Sequence, residues 1–193
     1  GGAAKWHKAP NLFSRASLQT AMRMRPRDND VCVATAPKTG TTLLCHLCHQ
    51  LRAAQAYLQN GSSEEWSGDW DFEDANQVVP WPPLCYDVGL DSSAKQRFGP
   101  PRLFKFHQRI STLAARGFVK FICTVRSPAD TVISWYNFVK HSDPSFVGKY
   151  SSVSEWVCQT GGAFGSFPDM WGTFVEAWKC RDLSNKVLVV VFE

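Results

Sequence analysis

Three mainly apolar runs, at 31–36, 119–125 and 186–192, stand out in a chain whose other segments mix polar and apolar positions. Runs of this length without strict alternation are typical of strands that are buried on both faces of a sheet. A shorter β-like stretch covers 101–106. The pattern therefore predicts a small set of buried strands in the interior of the protein.

Helical patterns occupy the intervals between these strands. Residues 43–58 show helical periodicity, and Pro128 is placed at the first turn of a helix that runs to about residue 140. Ser152 and Glu155 have the spacing of a capping box, and a longer helical stretch follows. Strands that alternate with helices predict right-handed crossovers and an α/β fold, a three-layer sandwich with a mostly parallel central sheet.

Two segments lack this order. Residues 1–30 are polar and punctuated by proline, and we interpret them as an N-terminal lead-in with one short helix. Residues 59–99 are rich in Ser, Gly, Pro and Trp, and an irregular segment of that length inside a domain is typical of a functional loop. We therefore predict a single domain over 31–193, in which 59–99 forms a wall of the substrate site.

Composition narrows the class of protein. The 193 residues are 44% hydrophobic, and the net charge of +4 is mild and not concentrated in a basic run. Such a charge argues for a local anionic ligand, so nucleic acid is not an expected partner. No run approaches the roughly 18 apolar residues of a membrane span, so a membrane is not an expected partner either.

Seven cysteines, an odd number, lie mostly in apolar segments, which predicts a reducing compartment and a cytoplasmic protein. The segment 45–49, Cys-His-Leu-Cys-His, also has the C-x-x-C-H spacing of covalent haem attachment and four side chains that could bind zinc. Positions 45, 48 and 49 share one helix face, so we favour packing against the sheet and predict no metal.

The connection after the first strand, residues 36–43, is the densest group of candidate ligands. It reads Ala-Pro-Lys-Thr-Gly-Thr-Thr-Leu and lies between a buried strand and a helix. Backbone N–H groups at the helix N-terminus, a lysine and three threonine hydroxyls would surround one anion. The lysine precedes the glycine and the first glycine of the Walker A pattern is absent, so an ordinary ATPase loop is not indicated.

Two further motifs follow later strands. Lys105 and His107 are two positions apart at a strand end, so alternation puts both on one side, where a neutral imidazole can remove a proton and a lysine can stabilise developing charge. Arg126 stands between a strand and a helix, and Ser134 follows two helical turns later; together they could bind a phosphate. Taken alone, the histidine is also compatible with a structural role and the arginine with a surface ion pair.

In this order the three motifs resemble those of the cytosolic sulfotransferase family, which moves a sulfuryl group from 3′-phosphoadenosine 5′-phosphosulfate (PAPS) to a hydroxyl or amine. Residues 36–42 resemble the family's 5′-phosphosulfate loop, 125–136 its 3′-phosphate segment and 102–107 its Lys-Thr-His segment. The resemblance spans about residues 30–193. It implies a P-loop NTPase-like sulfotransferase fold and a PAPS-dependent enzyme that releases 3′-phosphoadenosine 5′-phosphate (PAP) and needs no metal.

The resemblance also implies roles for single residues. His107 would be the general base, Lys38 would stabilise the departing 5′-phosphate, and Lys105 the sulfuryl oxygens. The acceptor is expected to be a small molecule, and a homodimer is a possible assembly. With Lys38, the expected cofactor-binding residues are Thr39, Gly40, Thr41, Thr42, Leu43, Arg126, Ser134 and Phe192, and the expected acceptor contacts are Trp81, Phe106, His107 and Phe138.

The chain departs from the family pattern at several positions. Leu43 stands where the family has an adenine-stacking tryptophan, Phe106 where it has threonine, and Phe192 where it has tyrosine. The family's C-terminal segment, with its Arg-Lys-Gly phosphate contacts, lies beyond residue 193. We therefore expect the chain to be a fragment that lacks part of the 3′-phosphate site.

Two other classes of protein share parts of this pattern. A P-loop nucleotide kinase or NTPase has the same order of strand, loop and helix, but it would need an acidic Mg²⁺ ligand at a strand end, where only Glu193 stands. A non-catalytic PAPS-binding or nucleotide-binding module would suit Leu43 and the early end of the chain. The presence of Lys38, Lys105 and His107 favours the enzyme, since a pure binder has no use for a base.

Overall fold

A four-stranded parallel sheet forms the centre of the computed structural model, which describes residues 13–61, 65–142, 148–160, 167–181 and 186–192. The strands are β1 (Val31–Ala34), β2 (Leu103–Phe106), β3 (Lys120–Arg126) and β4 (Val187–Phe192). Every neighbouring pair is parallel and the order is β2-β1-β3-β4, so all strands end at the same edge of the sheet. The predicted α/β fold with a parallel sheet is confirmed.

Helices connect the strands. In chain order they are α1 (Arg15–Arg23), α2 (Thr41–Gln59), α3 (Ala75–Val78), α4 (Pro82–Cys85), α5 (Ile110–Ala114), α6 (Pro128–Ser142), α7 (Val153–Thr160) and α8 (Phe167–Cys180), with a 3₁₀ turn at Tyr86–Val88. The sequence pattern does not predict α3, α4 and α5, because helices of four or five residues are too short to show a period of 3.6. Within the described ranges, no helix is both long and apolar enough to cross a membrane.

Two layers of the core lie against the sheet, one on each face, because successive strand residues point in opposite directions. On one face, Phe104 and Phe106 of β2 cluster with Ala177 of α8. On the other face, Val33 of β1 clusters with Leu44 of α2. Helix, sheet and helix therefore form the predicted three-layer sandwich.

The cysteine-rich and histidine-rich segment of α2 faces this interior. Cys45 and Cys48 belong to the apolar cluster on the α2 face, and burial raises the pKa of the Cys45 thiol to about 12. His49 is fully buried, and its Nε2 lies 2.8 Å from a carboxylate oxygen of Asp69. All seven cysteines are free thiols. The segment therefore packs against the sheet, as the shared helix face suggests.

Helix α1 attaches the lead-in to the segment around α4. The N–H of Ser14 donates to Oδ2 of Asp87 at 2.8 Å, and the hydroxyl of Ser17 donates to the carbonyl of Pro83 at 2.7 Å. The ring of Phe13 meets the ring of Trp81 edge to face, with centroids 4.9 Å apart. The described part of the lead-in thus supports the wall that contains Trp81.

A buried ion pair joins the starts of β1 and β2. Arg102 donates from Nε to Oδ1 of Asp30 at 2.8 Å and from Nη2 to Oδ2 at 2.6 Å, and both side chains are buried. Beside the pair, the N–H of Val31 donates to the carbonyl of Arg102 at 2.9 Å. Because two hydrogen bonds restrain both side chains, the ion pair helps to fix the register between β1 and β2.

Replacing Arg102 with methionine would leave the Asp30 carboxylate buried without its partner. We expect the free energy of unfolding to fall by about 3–5 kcal/mol, because an uncompensated buried charge is costly. Lys120→Ala is the control: Lys120 makes an exposed hydrogen bond to Asn29, and its loss should change stability by about 0.5 kcal/mol or less. Urea denaturation followed by circular dichroism measures both variants, and equal losses would contradict this account of the ion pair.

Candidate active site

A cleft of about 520 Å³ opens at the carboxyl ends of the strands. This edge of the sheet is where open α/β proteins bind their ligands. Residues from all three predicted motifs meet there. The lining consists of Pro37, Lys38, Gly40, Thr41, Thr42, Leu43, Trp81, Lys105, His107, Arg126, Ser134, Trp135, Phe138 and Phe192.

The phosphate loop, residues 35–40 between β1 and α2, contains two residues in the left-handed region of backbone space. Lys38 has a φ of 64° and Gly40 a φ of 84°. A Cβ placed on Gly40 would lie 2.5 Å from Cδ2 of Phe192, which is closer than two carbon atoms can approach. The first N–H groups of α2 have no partner within the helix, and Thr41 and Thr42 line the cleft. The loop therefore presents a helix N-terminus that is suited to an anion.

The threonine hydroxyls of this region do not all face the cleft, which corrects the expected set of three donors. Thr39 is fully buried; its hydroxyl donates to a carbonyl of its own loop and accepts from Thr124, both at 2.6 Å. The hydroxyl of Thr41 is paired with that of Thr35 at 2.6 Å. Thr42 is exposed. Buried hydroxyls need partners, so the side chains of Thr39 and Thr41 brace the loop, and Thr42 presents its hydroxyl at the cleft.

Arg126 links the phosphate loop to the end of β4. Its Nη1 donates to the carbonyl of Lys38 at 2.8 Å, and its Cζ lies 5.3 Å from the centroid of the Phe192 ring. Among the described residues, its buried Nε has no hydrogen-bond partner. Ser134 of α6 lines the same cleft. A buried donor without an acceptor is costly, so Arg126 is suited to an anionic ligand that supplies one.

His107 follows β2, and its ring is held from two sides. Nδ1 donates to the carbonyl of Thr35 at 2.9 Å, so Nε2 of the neutral ring carries the free lone pair. The ring meets Trp81 edge to face, with centroids 4.9 Å apart. Burial, with a smaller effect from the charge of Lys105, lowers the pKa of His107 to about 4. The imidazole is therefore neutral and able to accept a proton at pH 7.

Two ammonium groups lie against aromatic rings in the cleft. Nζ of Lys105 is 4.5 Å from the centroid of Trp81, and Nζ of Lys38 is 4.5 Å from the centroid of Phe138. Burial lowers the pKa of Lys105, and the charge of Asp74 acts in the opposite direction. Such contacts orient a lysine without neutralising it, so both positive charges remain available to a ligand.

One predicted acceptor contact, Phe106, is wrong. Its side chain is fully buried and packs against Phe118, with ring centroids 5.2 Å apart, on the opposite face of the sheet from Lys105. Strand alternation is the cause, because neighbours of Lys105 within β2 point the other way. Sequence reasoning also missed Trp135, which lines the cleft although it is almost buried. Trp135 lies within the 125–136 segment, but its helical position is also that of a core side chain, so the pattern does not distinguish it as a cleft residue.

The cleft has the chemistry expected for a nucleotide with several phosphate groups. Among its described lining residues, Lys38, Lys105 and Arg126 are cationic and none is acidic. Leu43, at the position of the expected adenine contact, is 53% exposed at the cleft. The residues present therefore fit PAPS or PAP, with positive charge at the loop and an apolar surface beside it.

Comparison with curated proteins finds sulfotransferases of plants and mammals. Cytosolic sulfotransferase 5 of Arabidopsis thaliana is 28% identical over 188 residues, which are 93% of this chain and 55% of the relative. Human sulfotransferase 2A1 is 24% identical over 173 residues, which are 86% of this chain and 54% of that protein. The chain thus spans about half the length of these relatives.

Solved structures show the same fold. The crystal structure of an Arabidopsis thaliana protein assigned as a steroid sulphotransferase superposes with a TM-score of 0.64 at 24% identity, covering 91% of this chain and 59% of the other. Retinol dehydratase, solved with retinol and PAP, gives a TM-score of 0.50 at 20% identity, covering 93% and 60%. The parallel sheet with its phosphate loop is therefore the P-loop NTPase-like fold of the sulfotransferases.

The family model for the sulfotransferase domain matches residues 28–193, which include the phosphate loop, both lysines, His107 and Arg126. The match extends over all four strands of the sheet and every described residue that lines the cleft. Pattern, fold and cleft all lead to one assignment: the chain belongs to the sulfotransferase family.

Proposed function

We propose that this chain carries the donor site and the catalytic base of an enzyme that transfers a sulfuryl group from PAPS to a hydroxyl or amine of a small acceptor. The proposal depends on one observation: His107 and Lys105 line the same cleft as the phosphate loop. Bound PAPS would supply the sulfuryl group. As in phosphoryl transfer, the protein would contribute mainly position and charge.

His107 would accept the proton of the acceptor at Nε2. The hydrogen bond from Nδ1 to the carbonyl of Thr35 fixes the tautomer in which Nε2 is the base. The lowered pKa of about 4 keeps the ring unprotonated throughout the neutral range. The low pKa also makes the ring a weak base, so the step depends on positive charge that stabilises the departing phosphate and the group in transfer.

Lys38 and Lys105, which both line the cleft, would supply that charge. Lys38 lies in the phosphate loop, and its ammonium is suited to the charge that develops on the departing 5′-phosphate. Lys105 lies two residues from His107 and is suited to the oxygens of the group in transfer. Their positions against Phe138 and Trp81 leave them charged but partly shielded from water, where electrostatic stabilisation is stronger.

The acceptor would be a small molecule with a planar or hydrophobic body. The proposal rests on the aromatic side chains of Trp81, Trp135 and Phe138 in the cleft wall. Retinol, which is bound in one structurally similar protein, has this character. We propose a cytoplasmic location, supported by relatives that are named cytosolic and by seven free thiols.

Replacing His107 with alanine should lower sulfuryl transfer by at least about 100-fold, because the general base is lost. PAP affinity should stay within about threefold, since the nucleotide contacts are on other elements. His141→Ala is the matched control, because His141 is exposed and bonded to a carbonyl of its own helix. Transfer from labelled PAPS to a panel of phenols, alcohols and amines, with calorimetric titration of PAP, measures both; a variant that keeps transfer would overturn the role of His107.

Replacing Arg126 with lysine, or Ser134 with alanine, should weaken PAP binding by about 10-fold to 100-fold, because charge-assisted contacts to the 3′-phosphate are lost. ADP lacks a 3′-phosphate, so Ser134→Ala should change its affinity little; Arg126→Lys, which also disturbs the contact to the carbonyl of Lys38, should weaken ADP less than it weakens PAP. Lys140→Ala, at an exposed position of the same helix α6, is the control. Calorimetric titration of PAP and ADP into each chain measures these affinities. Tighter binding of ADP than of PAP by the unaltered chain would contradict the proposed sulfotransferase function.

A further inference from the structure

A buried polar network lies outside the cleft, between the middle of α2 and the segment 65–99, which carries Trp81. It contains His49, Arg52 and Asp69, which are 0%, 4% and 8% exposed. Charged and polar side chains are rarely this buried unless they are paired. None of the three sequence motifs includes these residues, although His49 and Arg52 lie on α2, the helix that starts at the phosphate loop.

The hydrogen bonds of the network form a continuous chain. Nη2 of Arg52 donates to Nδ1 of His49 at 3.1 Å, which leaves the proton of the neutral ring on Nε2, and Nε2 donates to Asp69 at 2.8 Å. Gln50 pairs with the backbone of Asp69 twice, at 2.6 Å and 2.8 Å. Nη1 of Arg52 donates to Gln96, whose side chain in turn pairs with both backbone groups of Leu103. The segment that carries Trp81 is thereby bonded to α2 at two points, Asp69 and Gln96.

Arg52 also reaches the segment that leads into the cleft. Its Nη2 donates to the carbonyl of Val78 at 3.0 Å. Two residues further on, the carbonyl of Pro80 accepts from the N–H of Lys105 at 2.9 Å. Trp81 follows directly, and its ring contacts both Lys105 and His107. The path from Arg52 to the proposed base therefore runs through three residues of backbone.

We propose that Arg52 is a positioning residue of the proposed active site: through Val78 and the His49–Asp69 pair, it holds Trp81 over Lys105 and His107. The inference rests on the proposed function for its catalytic meaning. Helix α2 then has two tasks, since its N-terminus forms the phosphate site and its middle supports the wall beside the base. One rigid element would set the distance between the donor and acceptor sides of the cleft.

A network that only stabilised the fold would behave differently. Its loss would lower the free energy of unfolding without changing the surroundings of His107 in molecules that remain folded. If Arg52 positions Trp81, its loss admits water to His107 and Lys105. Because burial is the main cause of the lowered pKa of His107, that pKa should then rise toward its ordinary value near 6.5.

The experiment compares Arg52→Met with Arg97→Ala in the 193-residue chain. Arg97 is the matched control, because it pairs with the same Asp69 at 3.3 Å from a side chain that is 49% exposed. The readouts are the pKa of His107 from an NMR titration, with the signal assigned by His107→Gln, and the affinity for PAP by calorimetry. Arg52→Lys, which keeps the charge but not the forked donor, is the second variant if Arg52→Met does not fold.

In Arg52→Met we expect the pKa of His107 to rise by roughly one unit or more, while PAP affinity stays within about threefold because the phosphate loop is intact. Arg52→Lys should show a smaller rise, and Arg97→Ala none. A folded Arg52 variant with an unchanged His107 titration would overturn the proposal. Failure of the unaltered chain to bind PAP would instead contradict the proposed function, and the titration of His107 would still decide the role of Arg52.

Discussion

The close approach of Phe192 to Gly40 is the constraint on which the cleft depends. Glycine allows the left-handed turn with a φ of 84°, and its missing side chain lets the aromatic ring at the end of β4 lie against the loop. Arg126 adds to the same contact, since it lies over that ring and donates to the carbonyl of Lys38. The loop is thus held by two strands that are distant from it in sequence, which keeps the N-terminus of α2 open toward the cleft.

The site divides into a phosphate side and a proton side that meet at the edge of the sheet. The phosphate side uses backbone N–H groups and the guanidinium of Arg126, whereas the proton side uses a histidine whose pKa is lowered by burial. Trp81 forms the boundary, because it contacts both Lys105 and His107 and is supported by Phe13 from the lead-in. Charge is therefore concentrated where aromatic walls limit access of water, which strengthens each electrostatic contact.

The local sequence pattern was enough to predict the parallel sheet, the long helices and the position of the three motifs at one edge of the sheet. Each of these features depends on a short continuous stretch of residues. The pattern was not enough for side-chain direction: Thr39 turns inward to Thr124, and Phe106 joins the core. The sequence pattern also did not predict the pairing of His49 with Asp69, because this contact joins α2 to an irregular segment without periodicity. Contacts between distant segments are set by packing, which a single sequence does not display.

The most direct test of this account is the PAP affinity of Gly40→Ala compared with that of Gly61→Ala, both measured by calorimetry. Both glycines have positive φ, at 84° and 67°, but nothing lies within 4 Å of a Cβ placed on Gly61. Gly61→Ala should bind PAP like the unaltered chain, and Gly40→Ala should bind it at least about tenfold more weakly, because the ring of Phe192 must leave the loop. Equal PAP affinity in the two variants would contradict it.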